Sequence, residues 1–151
     1  MTTMTQNTNR TTHLLALMKK GDDAFNSRDF AAMKAAHHPD MIAHITGSPD
    51  LRGQPAHAAA MKEMIRIFPD VHVYNNPYPI QFGSGDWTTV ITRATGTFKG
   101  EMTLPDGKVI APTGKAYDLT FATSARWDGD LLIEEFVSVD TDLRAKQIGL
   151  A

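Results

Sequence analysis

From Leu14 the chain sets apolar residues at three- and four-residue spacing, through Leu17, Met18, Gly21 and Phe25. That period predicts a helix with one buried face, and Thr11 or Thr12 stands where a cap would start it. The stretch before it, residues 1–11, is rich in Thr and Asn and reads as a flexible polar tail. Asn26-Ser27-Arg28 interrupts the helical spacing, and Asp29 caps a short second helix carrying Phe30 and Met33. His37-His38-Pro39-Asp40 ends that helix, because a residue before proline is pushed out of the helical region. Met41 to Thr46 is a short strand, and Gly47 to Asp50 with Gly53 makes a loop. Pro55 suits the first turn of a third helix that reaches about Phe68, with a stripe of His57, Met61, Met64, Ile65 and Phe68.

From Val71 onward helical spacing gives way to alternation and to β-branched and aromatic residues. Val71 to Tyr74, Trp87 to Phe98, Tyr117 to Trp127 and Leu131 to Val139 read as strands. Gly83-Ser84-Gly85-Asp86 and Asp128-Gly129 carry tight-turn chemistry, so the strands they join pair antiparallel. Helices first and a strand meander afterwards is the pattern of a single α+β domain.

The strand from Tyr117 alternates cleanly. Tyr117, Leu119, Phe121, Thr123, Ala125 and Trp127 share the face that covers the core, since a one-residue shift would bury Asp118 and Arg126 instead. The last strand is ambiguous. Ile133, Glu135, Val137 and Val139 share one face; Leu132, Glu134, Phe136 and Ser138 share the other. Either choice turns one carboxylate inward, and two half-apolar faces suggest that a second copy covers the outer one, giving a homodimer.

Composition narrows the function classes. A length of 151 residues fits one domain with a sizeable core, and 42% hydrophobic with 21% charged residues is ordinary for a globular protein. A net charge of −2 without basic runs argues against nucleic acid and against an anionic membrane. The absence of cysteine excludes disulfides, thiolate catalysis and Cys-ligated zinc. No secretory signal and no bilayer-spanning run is evident, which leaves a cytoplasmic location as the expectation. His37 and His38 lack a third ligand at metal spacing, and no metal is expected. Gly114-Lys115 fails as a phosphate loop, because Val109 stands where its first glycine belongs and Ala116 replaces the Ser or Thr.

Several motifs fall in a telling order: His38-Pro39-Asp40, Phe68-Pro69-Asp70, Gly85-Asp86, Gly96-Thr97 with Gly100, Pro112-Thr113-Gly114-Lys115, Asp128-Gly129, and a last strand ending at Asp140. In that order, from Leu14 to the C-terminus, the sequence resembles the SnoaL-like polyketide cyclases of the nuclear transport factor 2-like superfamily. The resemblance implies a cystatin-like cone, in which three N-terminal helices pack on a strongly curved antiparallel (mixed) sheet around one ligand cavity. It also implies a homodimer packed through the sheets, and aldol cyclisation of polyketide esters without metal or organic cofactor. Proteins with this fold also isomerise, dehydrate or hydrolyse small apolar molecules, so the fold alone does not fix the reaction.

The family's inward Asp on the last strand and inward His on the strand before it carry over to, or near, Val137 and Thr123. Neither residue transfers protons as those would. That departure supports an alternative reading, a non-catalytic protein that binds a small molecule. With the family's inward parity, Glu135 lies two positions before Val137 on the same face. Burial in an apolar cavity would raise its pKa toward that of a useful general base for enol or aldol chemistry. The competing expectation is a structural ion pair with Arg93 or Lys115. His44, after the first short strand, is the expected donor to a bound carbonyl or relay to Glu135. Asp140 is expected to cap backbone or to form a salt bridge at the cavity rim. Phe25, Met61, Met64, Phe68, Tyr74, Val90, Phe121, Thr123 and Val137 are the expected lining for a small apolar ligand.

Overall fold

The structure, a computed structural model, describes residues 2–151, with side chains from residue 6 onward. Helix α1 (Thr2–Ser27) begins well before the expected cap at Thr11 or Thr12 and runs through the polar stretch. Arg10 and Asn7 explain part of this: Arg10 pairs with Asp86 at 2.8 Å, and the Asn7 side chain accepts from the Gly85 amide. The first turns of α1 are thus tied to the turn that opens a sheet strand. Residue 1 lies outside the described residues.

After Arg28, which takes a left-handed φ of 62° to break the helix, Asp29 caps α2 (Phe30–Ala35) by accepting from the Ala32 amide. Strand β1 (His37–Ile45) starts earlier than the Met41 boundary read from the sequence, so His37 and His38 belong to a strand and not to a helix end. β2 (Leu51–Arg52) pairs with it. Helix α3 (Gln54–Ile67) follows, with proline in its first turn as expected. Then come β3 (His72–Val73), β4 (Ile80–Ser84), β5 (Trp87–Thr97), the small β6 (Met102–Thr103) and β7 (Val109–Ile110) ribbon, β8 (Ala116–Asp128) and β9 (Leu131–Ser138). A last helix, α4 (Thr141–Gln147), was not expected. Asp140 is its N-cap, accepting from the Leu143 amide at 2.9 Å.

The main sheet runs β2-β1-β9-β8-β5-β3, with β4 also on β5. Neighbours pair antiparallel except β1 with β9, which are parallel, so the sheet is mixed. The inner face of β8 is the one its alternation assigns: Tyr117, Leu119, Thr123, Ala125 and Trp127 are buried.

The ambiguity of β9 is resolved by a register shift. Arg126 faces Glu134 while Trp127 faces Leu132, leaving Ile133 as the extra residue of a bulge. Leu132 and Glu135, three residues apart, both turn inward, and both are buried. Glu134 and Phe136 turn outward. Strict alternation could not have placed Leu132 and Glu135 on one face.

Candidate active site

Helices α1, α3 and α4 close the concave face of the sheet and leave a cavity of about 180 Å³. Its wall is mostly apolar. Phe25 and Met18 reach it from α1, Met61 and Met64 from α3, Phe121 and Thr123 from β8, and Val137 from β9. Six of the expected lining residues therefore meet here: Phe25, Met61, Met64, Phe121, Thr123 and Val137. The other three do not. Phe68 is buried in the core beside the Tyr117 ring, at 5.1 Å. Val90 is buried in a separate cluster with Leu14 and Tyr78, and Tyr74 lies under the Arg93 guanidinium on the outside.

Thr123 and Val137, the positions to which the resemblance carries the family's His and Asp, sit directly opposite each other across β8 and β9. Both face the cavity, and neither side chain can serve as a base. The acid in this cavity lies two residues earlier, at Glu135, which is opposite Ala125 on one side and Ala43 on the other. Two small neighbours leave room for a partner from the helix layer. His57 of α3 supplies it: Nε2 lies 3.2 Å from Glu135 Oε1, with both side chains under a tenth exposed. His57 is itself packed on the His37 ring, at 4.2 Å between centroids, and His37 Nδ1 is bound to the Met33 carbonyl at 2.7 Å.

This arrangement reverses an expectation about Glu135. Burial pushes its carboxyl up, but the His57 hydrogen bond and the charges of His57 and His37 outweigh it, and the group ends below the ordinary glutamate range. Glu135 is ionised and paired, though not with Arg93 or Lys115. Arg93 instead pairs with Asp118 on the outer face. Burial and the neighbouring His57 lower the His37 imidazole, so that it is neutral near pH 7. His37, His57 and Glu135 place one donor atom each within 4.8 Å of the others, a set that could accept a divalent ion.

A second carboxylate shares the cavity. Asp22 sits on α1 four residues after Met18 and three before Phe25, which puts it on the inward stripe. Burial pushes it up to about 7, against the lowering effect of a hydrogen bond from the Tyr78 hydroxyl; the charges of Glu135 and Asp23 add to the rise. Tyr78 is itself buried and is held up by burial and by Asp22, so it stays protonated and donates to Asp22 Oδ2. The other oxygen, Oδ1, is left to carry the proton.

His44 stands elsewhere. Parallel pairing puts it beside Phe136 on the outer face, while its neighbour Ala43 takes the inner position next to Glu135. It bridges Asp50 and Glu134, both at 3.0 Å, and those two hydrogen bonds raise its pKa. The expected His44–Glu135 relay is not formed.

Residues 16–147 match the SnoaL-like polyketide cyclase family. The chain belongs to that family. No curated protein matches it in sequence. Among solved structures, a SnoaL-like protein from Jannaschia sp. CCS1 superposes with a TM-score of 0.79 at 17% identity, over 93% of this chain and 94% of that one. IdmH from Streptomyces antibioticus, a proposed polyketide cyclase, gives 0.71 at 19% identity over 89% and 96%. AclR from Streptomyces galilaeus, a proposed hydroxylase, gives 0.76 at 16% over 93% and 83%. At these identities the likeness is one of fold, the nuclear transport factor 2-like α+β fold. Among the described residues of this SnoaL-like domain, no helix is long and apolar enough to cross a membrane.

The Glu135–His57 pair also makes a stability prediction. Replacing His57 by Leu leaves an ionised carboxylate buried without its donor, a change that costs about 3 kcal/mol or more. Urea unfolding at pH 7 should show that loss. It should shrink toward pH 4, where the unpaired Glu135 can take up a proton. A loss that stays constant with pH would mean that the pair is not ionic.

Proposed function

We propose that this SnoaL-like domain is a cofactor-independent enzyme that removes a proton beside a carbonyl of a small, largely apolar compound. The observation that carries the reading is one apolar cavity holding two carboxyl groups whose surroundings drive them to opposite protonation states at mildly acidic pH, below about 7. Environments that split two acids in this way assign them their roles.

Glu135 is the base. His57 holds Oε1 and leaves Oε2 for the substrate. As Oε2 takes the α-proton, the electrons of the C–H bond move to the carbonyl oxygen. Asp22, protonated and backed by Tyr78, donates a hydrogen bond to that oxygen as its charge grows. A carboxylate already ionised at pH 7 is in its working state but is a weak base, and the Asp22 donor offsets this by stabilising the enolate. The enolate carbon can then attack a second carbonyl of the same molecule, as an aldol cyclisation requires. Proton return from Glu135 completes the cycle.

The test needs no natural substrate. A small aryl ketone incubated with the protein in deuterated buffer should take up deuterium at its α-carbon faster than in buffer alone, read by proton NMR. A ketone shown to bind in the cavity yet exchanging at the buffer rate would leave a binding protein as the better account.

We also propose that the outer face of the sheet covers a second copy. Ile80, Phe82, Trp87 and Phe136 are 49, 57, 39 and 43% exposed. The pairing of β4, β5, β8 and β9 sets them on one face. His44 extends this patch by stacking on Phe136 at 4.4 Å. Phe136→Asp should turn a dimer into a folded monomer in sedimentation velocity. A wild type that sediments as a monomer at tens of micromolar would refute the pairing.

A further inference from the structure

Among the described residues, nearly every arginine is held by an acceptor of the protein. Asp86 holds Arg10, Asp50 holds Arg52, Glu63 holds Arg66, Asp118 holds Arg93 and Glu134 holds Arg126. Arg28 donates to the Pro69 and Val71 carbonyls. Arg144 is the exception. Its side chain makes no hydrogen bond or ion pair with any described residue, yet it lines the cavity. It is only partly exposed, and its charge acts on the Tyr117 phenol, which burial pushes up to about 12. A cation at the wall of an apolar cavity, with no carboxylate to meet it, lacks the partner that part-buried guanidinium groups ordinarily have.

The backbone fixes where this cation enters. Glu135 and Val137 of β9 and then Val139 just past its end line the cavity in turn, and Asp140 caps the helix that carries Arg144. At about 3.3 Å per residue, Val139 lies roughly 13 Å beyond Glu135. Proton-transfer groups and cation therefore approach from different ends of the cavity.

We propose that Arg144 binds a carboxylate of the substrate, so that the ligand class is an apolar keto acid. The acid group lies at the α4 end, and the carbonyl lies between Asp22 and Glu135. The planar guanidinium fork matches a carboxylate in two parallel hydrogen bonds. A monoanion suits the site better than a phosphate, because one cation stands against the negative charge of Glu135 in the same cavity. The placing of the carbonyl rests on the acid–base reading above; the carboxylate contact does not.

The probes are 4-oxo-4-phenylbutanoic acid and its methyl ester, with binding measured by calorimetry and by the fluorescence of Trp127 in the cavity wall. The wild type should bind the acid at least about tenfold more tightly than the ester, as expected of a charged hydrogen bond. Arg144→Gln should erase that preference without changing the melting temperature, Arg144→Lys should restore part of it, and Glu135→Gln should keep it. Equal affinity for acid and ester, no binding of the acid at millimolar concentration, or a preference that survives Arg144→Gln would each overturn the proposal. Deuterium uptake fails independently of this preference. A protein that favours the acid but exchanges no deuterium loses the acid–base reading and keeps the Arg144 contact.

Discussion

Glu135→Gln will lower deuterium exchange of a bound ketone by a factor of about 10² to 10⁴, the range expected when a positioned base is lost. The fold should survive, because the amide keeps the shape of the side chain and an oxygen that can accept from His57 Nε2, now 3.2 Å from Oε1. Glutamine stays hydrogen-bonded in place of the carboxylate, so no buried polar group loses its partner. The expected result is thus a variant with near-normal unfolding and almost no exchange, read by NMR and urea titration on the same sample. If exchange stays at the wild-type rate, the base is another group, and His57 would be the next to replace.

Asp22→Asn should move activity and stability in opposite directions. The Asp22 carboxyl goes from 3.8 to about 7 on folding. Its folded pKa lies above its unfolded one, so between those values the folded state binds more protons. Stability therefore falls as pH rises from about 4 to 7 and remains at its lower level above that. The full penalty is roughly 4 kcal/mol at pH 8 for a shift of that size. Asparagine carries no charge to bury and can still accept from the Tyr78 hydroxyl. At pH 8 the variant should be more stable than the wild type by a sizeable part of that figure, and at pH 4 the two should agree. Exchange should fall on the order of 10²-fold, since an amide is a poorer donor to an enolate than a carboxylic acid. In the wild type the rate should decline as pH rises through 7 and the Asp22 proton is lost, and in Asp22→Asn that decline should vanish. A variant no more stable at pH 8 than the wild type would show that folding does not raise the Asp22 pKa.

The two variants bracket a pH window. Exchange needs Glu135 ionised, which holds from below the ordinary glutamate range upward, and Asp22 protonated, which holds up to about 7. Activity should plateau across the mildly acidic range.

Much of this was written in the chain in readable form. The alternation of β8 gave the inner face residue by residue. The SnoaL-like order of turns and motifs gave the fold, and with it a cavity that six of the nine expected lining residues share. The inward turn of Glu135 was legible as well, although its pKa moves down where burial alone would raise it. Alternation alone left β9 undecided, and the bulge at Ile133, which lets Leu132 and Glu135 both turn inward, depends on pairing with Trp127 and Arg126 across the turn.

The partners were harder to read, because they come from other layers. His57 was visible as a member of the Met61–Met64 stripe, but an imidazole in an apolar stripe reads as core until a carboxylate is known to face it. Asp22 had the same signal, lying at helical spacing between Met18 and Phe25. Its neighbour Gly21 fits the same three- and four-residue spacing and masks it. His44 was misplaced by proximity, since in a strand the residue beside the inward Ala43 must point outward. Helix α4 went unread, although Asp140 at the cap, Arg144 and Lys146 in the last turn and Gly149 beyond it are ordinary helix-end signals. The parallel pairing of β1 with β9 joins distant segments and leaves no local trace.

The central claim is that one cavity holds Glu135 as a carboxylate and Asp22 as a carboxylic acid. Carbon-13 NMR titration of the side-chain carboxyls, assigned through Glu135→Gln and Asp22→Asn, measures this directly. Asp22 should titrate with a midpoint near 7 and Glu135 with a midpoint below the ordinary glutamate value. Asp22 titrating near 4, or Glu135 titrating near 7, would contradict it and reverse the assigned roles.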